Sequence, residues 1–101
     1  MPTPEQKIKK QIKDYITRIG GFWSTVQGGP FSKPGDPDLI CCVEGHYIGI
    51  EAKTPTGRAS ELQLQRGREI EKAGGIWILA RSVEDVQHGL ESRGIGKDKG
   101  R

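Results

Sequence analysis

The first pattern in the chain is an apolar stripe with helical spacing. Isoleucine and tyrosine side chains recur every three or four positions between residues 8 and 19, which predicts a helix with one face in the core. Thr3 is suited to cap this helix, Pro4 to its first turn, and Gln6 to complete a capping box with Thr3. The glycine pair at 20 and 21 predicts where the helix ends.

The rest of the chain predicts four strands and two more helices. Strands are predicted at residues 22–26, 38–44, 47–53 and 76–80. Ser60 and Ser82 are the predicted N-caps of helices that end near residues 73 and 91. Three glycines and three prolines within residues 27–37 predict a loop. The predicted order is αβββαβα, which indicates an α/β fold.

The second and third strands are predicted to form a hairpin with a polar and an apolar face. With the turn at Gly45-His46, Asp38 lies opposite Lys53 and is a diagonal neighbour of Glu51. These three polar side chains then share one face, because side chains alternate with period two. The other face is wholly apolar, which supports this assignment, since a one-residue shift would mix the two sets.

The polar face of the hairpin suits the chemistry of a metal site. Diagonal neighbours lie roughly 7–8 Å apart at the backbone, so the carboxylates of Asp38 and Glu51 can reach one ion. An all-oxygen set of ligands favours Mg²⁺ or Mn²⁺. Such an ion lowers the pKa of a water molecule and stabilises charge on a phosphate. Lys53 can orient that water or neutralise the developing charge.

Charge is distributed unevenly, although the whole chain carries only +3. Residues 1–34 hold six basic and two acidic side chains, and residues 54–101 hold nine basic and seven acidic ones. Between them, residues 35–53 hold one basic and four acidic side chains. Basic flanks favour a polyanionic partner. The acidic centre would repel such a partner unless a divalent cation were bound there.

Length and composition limit the class of protein. The 101 residues predict one domain at 1–93 and a basic, glycine-rich, flexible tail at 94–101 without core residues. No apolar run approaches the roughly 20 residues of a membrane span, and the polar start is no signal peptide. We therefore expect a soluble, cytoplasmic protein without a membrane partner or an organic cofactor. The adjacent Cys41 and Cys42 are expected on opposite faces of a strand, as neither a disulfide nor a metal pair.

Two short motifs and their order resemble a known nuclease superfamily. Pro37-Asp38 followed after twelve residues by Glu51-Ala52-Lys53 resembles the PD-(D/E)XK motif, whose fold is a restriction-endonuclease-like αβββαβ core with a mixed central sheet flanked by helices. The wider pattern, over about residues 5–80, resembles the virus-type replication-repair nuclease domain, VRR-NUC. The residues that carry this wider resemblance are Glu5, Gly35 to Ile40, Gly49 to Lys53, Gly57 and Ser60 to Gln63.

The resemblance implies a role for each matching site residue. Asp38, Glu51 and the backbone carbonyl of Ala52 would bind Mg²⁺ or Mn²⁺, and Lys53 would be the catalytic lysine. Glu5 would reach the site from the first helix and is a further metal-ligand candidate.

The resemblance also implies a glutamine near Lys53 at the start of the second predicted helix. Gln63 is preferred over Gln65, because it precedes Gly74 by the spacing expected of the family. Taken alone, Asp38 is better explained as an ordinary turn acid, while Glu51 and Lys53 are equally the exposed side of a hairpin and Glu5 a residue favoured by the helix dipole. Asp38, Glu51 and Lys53 on one face, together with Glu5 and Gln63, favour a metal site.

The implied activity is metal-dependent endonucleolytic cleavage of branched DNA, with four-way (Holliday) junctions as substrate and a homodimer as the active form. Short stand-alone domains of this type occur in phages, which places the protein in a phage or its bacterial host. The alternatives are a flap-cutting or nicking endonuclease of the same superfamily, a non-catalytic DNA-binding module, and a scaffold that acts through protein partners. The predicted DNA contacts are Lys9, Lys10, Phe31, Lys33, Arg58 and Arg66.

Overall fold

A computed structural model describes residues 2–26 and 33–97 of the chain. The helices are α1 (Pro4–Arg18), α2 (Glu61–Lys72) and α3 (Val83–Glu91), and the strands are β1 (Phe22–Thr25), β2 (Leu39–Val43), β3 (His46–Ala52) and β4 (Ile76–Ala80). The predicted α/β class and the order of the elements are confirmed. No helix in these two ranges is long and apolar enough to cross a membrane.

The four strands form one mixed sheet in the order β1-β2-β3-β4. β1, β2 and β3 are antiparallel neighbours, whereas β4 returns parallel to β3 after the α2 crossover. The main core lies on the face of the sheet that α1 and α3 cover. Side chains of β2, β3 and β4 pack there against the two helices. Its largest fully buried members include Ile12, Ile16, Leu39, Ile48, Ile50 and Leu90.

Helix α2 covers the opposite face, and two glycines allow its close approach. A Cβ atom on Gly67 would lie 2.5 Å from the Trp77 ring, well inside van der Waals contact. A Cβ atom on Gly49 would lie 2.8 Å from Pro37 and 3.1 Å from Ile70. The helix and the segment that enters β2 therefore lie directly on the sheet.

The hairpin turn differs by one residue from the prediction. Val43 pairs with His46, so the two turn residues are Glu44 and Gly45 rather than Gly45 and His46. Both have positive φ angles, of 52° and 82°, as a type I′ turn requires. The predicted register is therefore wrong by two residues, but the two faces are unchanged because the side-chain period is two.

The corrected register brings the acidic residues closer than predicted. Leu39 pairs with Ile50, and the next pair outward places Asp38 directly opposite Glu51. The predicted pairing of Asp38 with Lys53 is therefore wrong. Directly opposite side chains lie about 4.5–5.5 Å apart at Cβ, closer than the diagonal arrangement expected.

The segment after α3 also differs from the prediction. Ile95 is 2% exposed and belongs to the core, and its N–H donates to Leu90 O at 2.9 Å. Gly94 and Gly96 have φ angles of 75° and 72°, and these left-handed conformations turn the chain back onto the core. The expectation that no core residue follows position 93 is therefore wrong at Ile95. Residues 98–101 of the predicted tail lie outside the described residues.

Candidate active site

Two carboxylates meet at the end of the β2–β3 hairpin. Asp38 directly precedes β2, and Glu51 is the penultimate residue of β3. The Asp38 Oδ2 atom accepts a hydrogen bond of 2.9 Å from the Ala52 N–H. This bond fixes one oxygen of Asp38 against the end of β3, and it leaves the second oxygen facing α1.

Glu51 is the most unusual side chain of the site, because it carries a titratable carboxyl group and is only 1% exposed. Its Oε1 atom accepts a hydrogen bond of 2.8 Å from Gln63 Nε2. Its Oε2 atom is buried and accepts no hydrogen bond from a donor group of the described residues. A buried carboxylate oxygen without a donor is costly to the folded state, and the cost is relieved when Glu51 is protonated and shares a hydrogen bond with Asp38 or when a cation is bound.

The surroundings of Glu51 disfavour its ionised form. Burial, next the neighbouring charge of Asp38, and then a side-chain hydrogen bond with Asp38 raise the pKa of the Glu51 carboxyl to about 8. The ammonium groups of Lys53 and Lys9 act on this pKa in the opposite direction. Lys53 and Lys9 thus do not supply enough positive charge to keep Glu51 ionised at neutral pH, and a bound cation would favour the ionised form.

Gln63 links the site to the start of α2. Its Oε1 atom accepts the Ser60 N–H at 2.8 Å, while the Ser60 hydroxyl accepts the Gln63 N–H at 3.1 Å. This capping box fixes the side chain, so that its Nε2 atom points at Glu51. The sequence predicted Ser60 as the cap and Gln63 as a site residue, and one amide group combines both roles.

Lys9 joins α1 to the carboxylates. Its Nζ atom lies 3.8 Å from Asp38 Oδ1 and 3.3 Å from Glu5 Oε1. Glu5 is therefore brought to the edge of the site through Lys9. No three histidine, cysteine, aspartate or glutamate side chains form a metal-binding group within the ranges the structure covers, so the direct ligation by Glu5 stays a prediction.

Lys53 lies immediately after β3 and is half-buried. Its N–H donates to Ala80 O at 2.8 Å, which anchors the backbone between the two parallel strands. Its side-chain charge is near enough to lower the pKa of Glu51. The structure thus brings Lys53 to the same end of the sheet as Asp38 and Glu51.

The donor atoms fit a divalent cation. Asp38 and Glu51 supply carboxylate oxygens, and one of these, Glu51 Oε2, is buried and accepts from no donor group of the described residues. The N–H and C=O groups of one strand residue point to the same side, so the Ala52 carbonyl lies on the Asp38 side of β3. Oxygen-only donors with few protein ligands are typical of Mg²⁺, which retains several waters.

The predicted DNA-contact residues occupy different environments. Lys33 and Arg58 are exposed, whereas the Arg66 guanidinium is engaged within the chain. It contacts Glu69, Asp36 Oδ1 at 3.1 Å and Pro34 O at 3.3 Å. Arg66 therefore ties the segment before β2 to α2, a structural role that the sequence did not suggest. Phe31 lies outside the described residues.

Two interactions of α1 were not predicted from the sequence. Lys9 was predicted only as a DNA contact, although its i, i+4 spacing from Glu5 indicates an ion pair. Lys13 was not singled out, yet its ammonium lies 4.9 Å from the centre of the Trp23 ring. The i, i+3 and i, i+4 spacing of Lys9, Lys10 and Lys13 was the available signal for a shared face.

The mixed four-stranded sheet and its three flanking helices have the α/β architecture that the motifs predicted. Comparison with solved structures agrees. A "VRR_NUC domain" matches with a TM-score of 0.76 and 23% identity, over 89% of this chain and 97% of that chain. A "VRR_NUC domain protein" matches with a TM-score of 0.64 and 18% identity, over 91% and 88% of the two chains. The expected resemblance to VRR-NUC domains is thus confirmed for the fold.

Comparison of the sequence with family models and with curated proteins found no match to either.

Proposed function

We propose that this protein is a divalent-metal-dependent DNA endonuclease whose active site is the pair Asp38 and Glu51. The observation that carries the proposal is the juxtaposition of two carboxyl groups, one of them the buried Glu51, whose Oε2 atom accepts from no donor group of the described residues. The shared fold with two VRR_NUC structures supports a nuclease over other uses of a cation site. The reaction is hydrolysis of a phosphodiester bond.

Each side chain of the site has a defined task in this proposal. Asp38 and Glu51 hold Mg²⁺ or Mn²⁺, together with the Ala52 carbonyl. The bound ion supplies positive charge to the phosphate and increases the acidity of water. Gln63 keeps Glu51 oriented through the 2.8 Å hydrogen bond.

Lys53 and Glu5 complete the proposed active site. Lys53 carries a mobile positive charge at the end of β3, where it orients the attacking water or neutralises charge that develops on the phosphate. Glu5, held by Lys9, adds a third carboxylate at the edge of the site and is a further ligand for the cation.

We further propose that the substrate is branched DNA, in particular a four-way junction, and that the active form is a homodimer. One chain carries one pair of site carboxylates in its described residues, whereas resolution of a four-way junction requires two symmetric cuts. Two-fold symmetry in the enzyme matches two-fold symmetry in the substrate. Light scattering of the protein alone and with junction DNA measures the oligomeric state. Paired cleavage of the junction by a strict monomer would refute the homodimer.

The experiment that tests the activity compares the wild type with Glu51→Gln. Both are incubated with labelled four-way junction, flap, nicked and linear duplex DNA, with Mg²⁺, with Mn²⁺ and with chelator. Glu71→Gln, an exposed residue of α2, is the matched control for the charge change. We expect the wild type and the control to cut the junction only with a metal, and Glu51→Gln to lose at least about 100-fold in rate, as removal of a cation ligand should.

Other outcomes distinguish the alternatives. Preferential cutting of flaps or nicked duplexes identifies a different endonuclease that uses the same site. DNA binding without cleavage under any of these conditions identifies a non-catalytic binding module. Equal cleavage by the wild type and Glu51→Gln rejects the assignment of the active site.

A further inference from the structure

A cleft of about 550 Å³ adjoins the carboxylate site. One wall is a face of α1, and the other is formed by the end of β1 and the start of the hairpin. The lining includes Gln6, Lys9, Lys10 and Lys13 from α1, with Thr25 and Asp38 opposite. We call this feature the lysine cleft. It carries three ammonium groups and one carboxylate, and that carboxylate is a proposed metal ligand.

The lysine cleft follows the helix period. Its α1 residues stand at positions 6, 9, 10 and 13, the i, i+3, i+4, i+7 pattern of a single helix face. From residue 6 to residue 13, seven rises of about 1.5 Å each extend about 10 Å along the helix axis. One strand of duplex DNA carries a phosphate every 3.4 Å or so along its axis. The length of this helix face therefore corresponds to roughly three consecutive phosphates of one DNA strand.

The ammonium groups of the cleft are held in place by weak interactions. Lys10 pairs with Asp14 at 3.0 Å, but both side chains are largely exposed, at 77% and 68%. Lys13 lies over the Trp23 ring, whose Nε1 atom donates to Thr17 Oγ1 at 3.0 Å. An exposed ion pair contributes at most about 1 kcal/mol. Lys10 can therefore exchange its carboxylate partner for a phosphate at little cost.

Lys9 stands where the cleft meets the site. Its Nζ atom lies 3.8 Å from Asp38 Oδ1, so it offsets the carboxylate that Asp38 contributes to the described lining of the cleft. A polyanion in the cleft thus meets positive charge along α1 and reaches the carboxylates at one end, where the proposed cation is held.

We propose that the lysine cleft binds the sugar–phosphate backbone of one DNA strand on one side of the bond that is cut, with Lys10 and Lys13 as the phosphate contacts. This inference rests on the proposed nuclease function and adds the path of the substrate to it. Recognition of this kind is independent of base sequence, because phosphate contacts carry no sequence information.

The test is the salt dependence of DNA binding by the double variant Lys10→Gln/Lys13→Gln. Lys7→Gln/Lys72→Gln is the matched control, because both lysines are exposed and neither lines the cleft. Affinity for labelled junction DNA is measured by fluorescence anisotropy without divalent metal at several salt concentrations. Thermal unfolding of each variant verifies the fold.

For the cleft variant, we expect the slope of log K against log salt to decrease by about 1 for each lost phosphate contact. At 0.1 M salt the affinity should fall roughly tenfold, while the control stays close to the wild type. In cleavage with Mg²⁺, the cleft variant should raise KM and leave kcat within about twofold, because Lys10 and Lys13 act on binding.

The outcomes separate failure of this inference from failure of the proposed function. If the wild type cuts DNA and the cleft variant shows an unchanged slope, or the control loses as much slope as the cleft variant, the inference is refuted and the nuclease stands. If the wild type neither binds nor cuts DNA, both are refuted. If DNA binds with the expected change in slope but is never cut, the cleft is supported and the catalytic assignment fails.

Discussion

The Gln63 side chain donates a hydrogen bond of 2.8 Å to Glu51 and accepts one of 2.8 Å from the Ser60 backbone. A single amide thus caps α2 and orients the buried carboxylate of β3. Because the capping box also fixes the backbone at the helix start, the position of Glu51 Oε1 depends on where α2 begins.

The variant Gln63→Glu separates these two functions. Glutamate at this position preserves the capping box, but it removes the donor to Glu51 and adds a second negative charge beside it. We expect a loss of about 1–3 kcal/mol in the free energy of unfolding, measured by urea denaturation in the presence of chelator. Gln65→Glu, an exposed position on the same helix, should change stability by less than about 0.5 kcal/mol. Equal effects of the two variants would show that the hydrogen bond to Glu51 contributes nothing.

The raised pKa of Glu51 predicts a pH-dependent stability of the metal-free protein. The carboxyl titrates near its ordinary value of 4.5 when unfolded and at about 8 when folded, so the folded state binds more protons between these values. Stability should therefore fall as the pH rises from about 4.5 to 8. Glu51→Gln cannot ionise and should remove this fall, which makes it more stable than the wild type at pH 9.

Thermal or urea unfolding of both proteins in chelator from pH 5 to pH 9 measures this difference. Each unit of pKa shift corresponds to about 1.4 kcal/mol, so the two stability curves should separate by a few kcal/mol across this range. Parallel curves would mean that Glu51 is not the titrating group.

The ammonium of Lys9 competes with a divalent cation for Asp38. Its Nζ atom stands between Asp38 and Glu5, and it lowers the pKa of Glu51. Lys9→Met keeps most of the apolar stem but removes the charge. We expect several-fold tighter Mn²⁺ binding by calorimetry at pH 8.5 and lower stability in chelator. Lys7→Met, exposed on the same helix, is the control, and weaker Mn²⁺ binding by Lys9→Met would contradict the competition.

Arg66 can be tested as either a DNA contact or a residue that stabilises the fold. The sequence suggested a DNA contact, whereas the structure shows contacts with Asp36, Glu69 and Pro34. Arg66→Gln should therefore lower the free energy of unfolding by about 1–2 kcal/mol and leave the salt slope of DNA binding unchanged. A decrease in that slope by about 1 without loss of stability would restore the DNA-contact interpretation.

Much of the fold was predictable because its signals are local. The caps Thr3, Ser60 and Ser82 each lie one residue before a helix, as predicted, since capping depends on side chains within one turn. The faces of β2 and β3 were also predictable, because alternation alone determines them. Cys41 is buried and Cys42 exposed, in agreement with that alternation.

The structure differs from the sequence prediction where a feature depends on backbone conformation or on tertiary contacts. Glu44 adopts a left-handed conformation that its residue type does not signal, so the turn was placed one residue late. Ile95 lies between two glycines, a pattern that is also typical of a flexible tail. Only the burial of Ile95 in the core shows that these glycines form turns. The approach of Lys9 to Asp38 joins residues 29 positions apart, which no local pattern specifies.

The central claim is that Asp38 and Glu51 form the metal-dependent active site of a nuclease. Its most direct test is the single-turnover rate of cleavage of labelled four-way junction DNA by Asp38→Asn, with Mg²⁺ or Mn²⁺, beside the wild type and Glu71→Gln. Asparagine preserves an oxygen that can accept the Ala52 N–H but removes the charge that binds the cation. We predict metal-dependent cleavage by the wild type and the control, and a loss of at least about 100-fold for Asp38→Asn. Cleavage by Asp38→Asn at the wild-type rate, or by the wild type at full rate in chelator, would contradict the assignment.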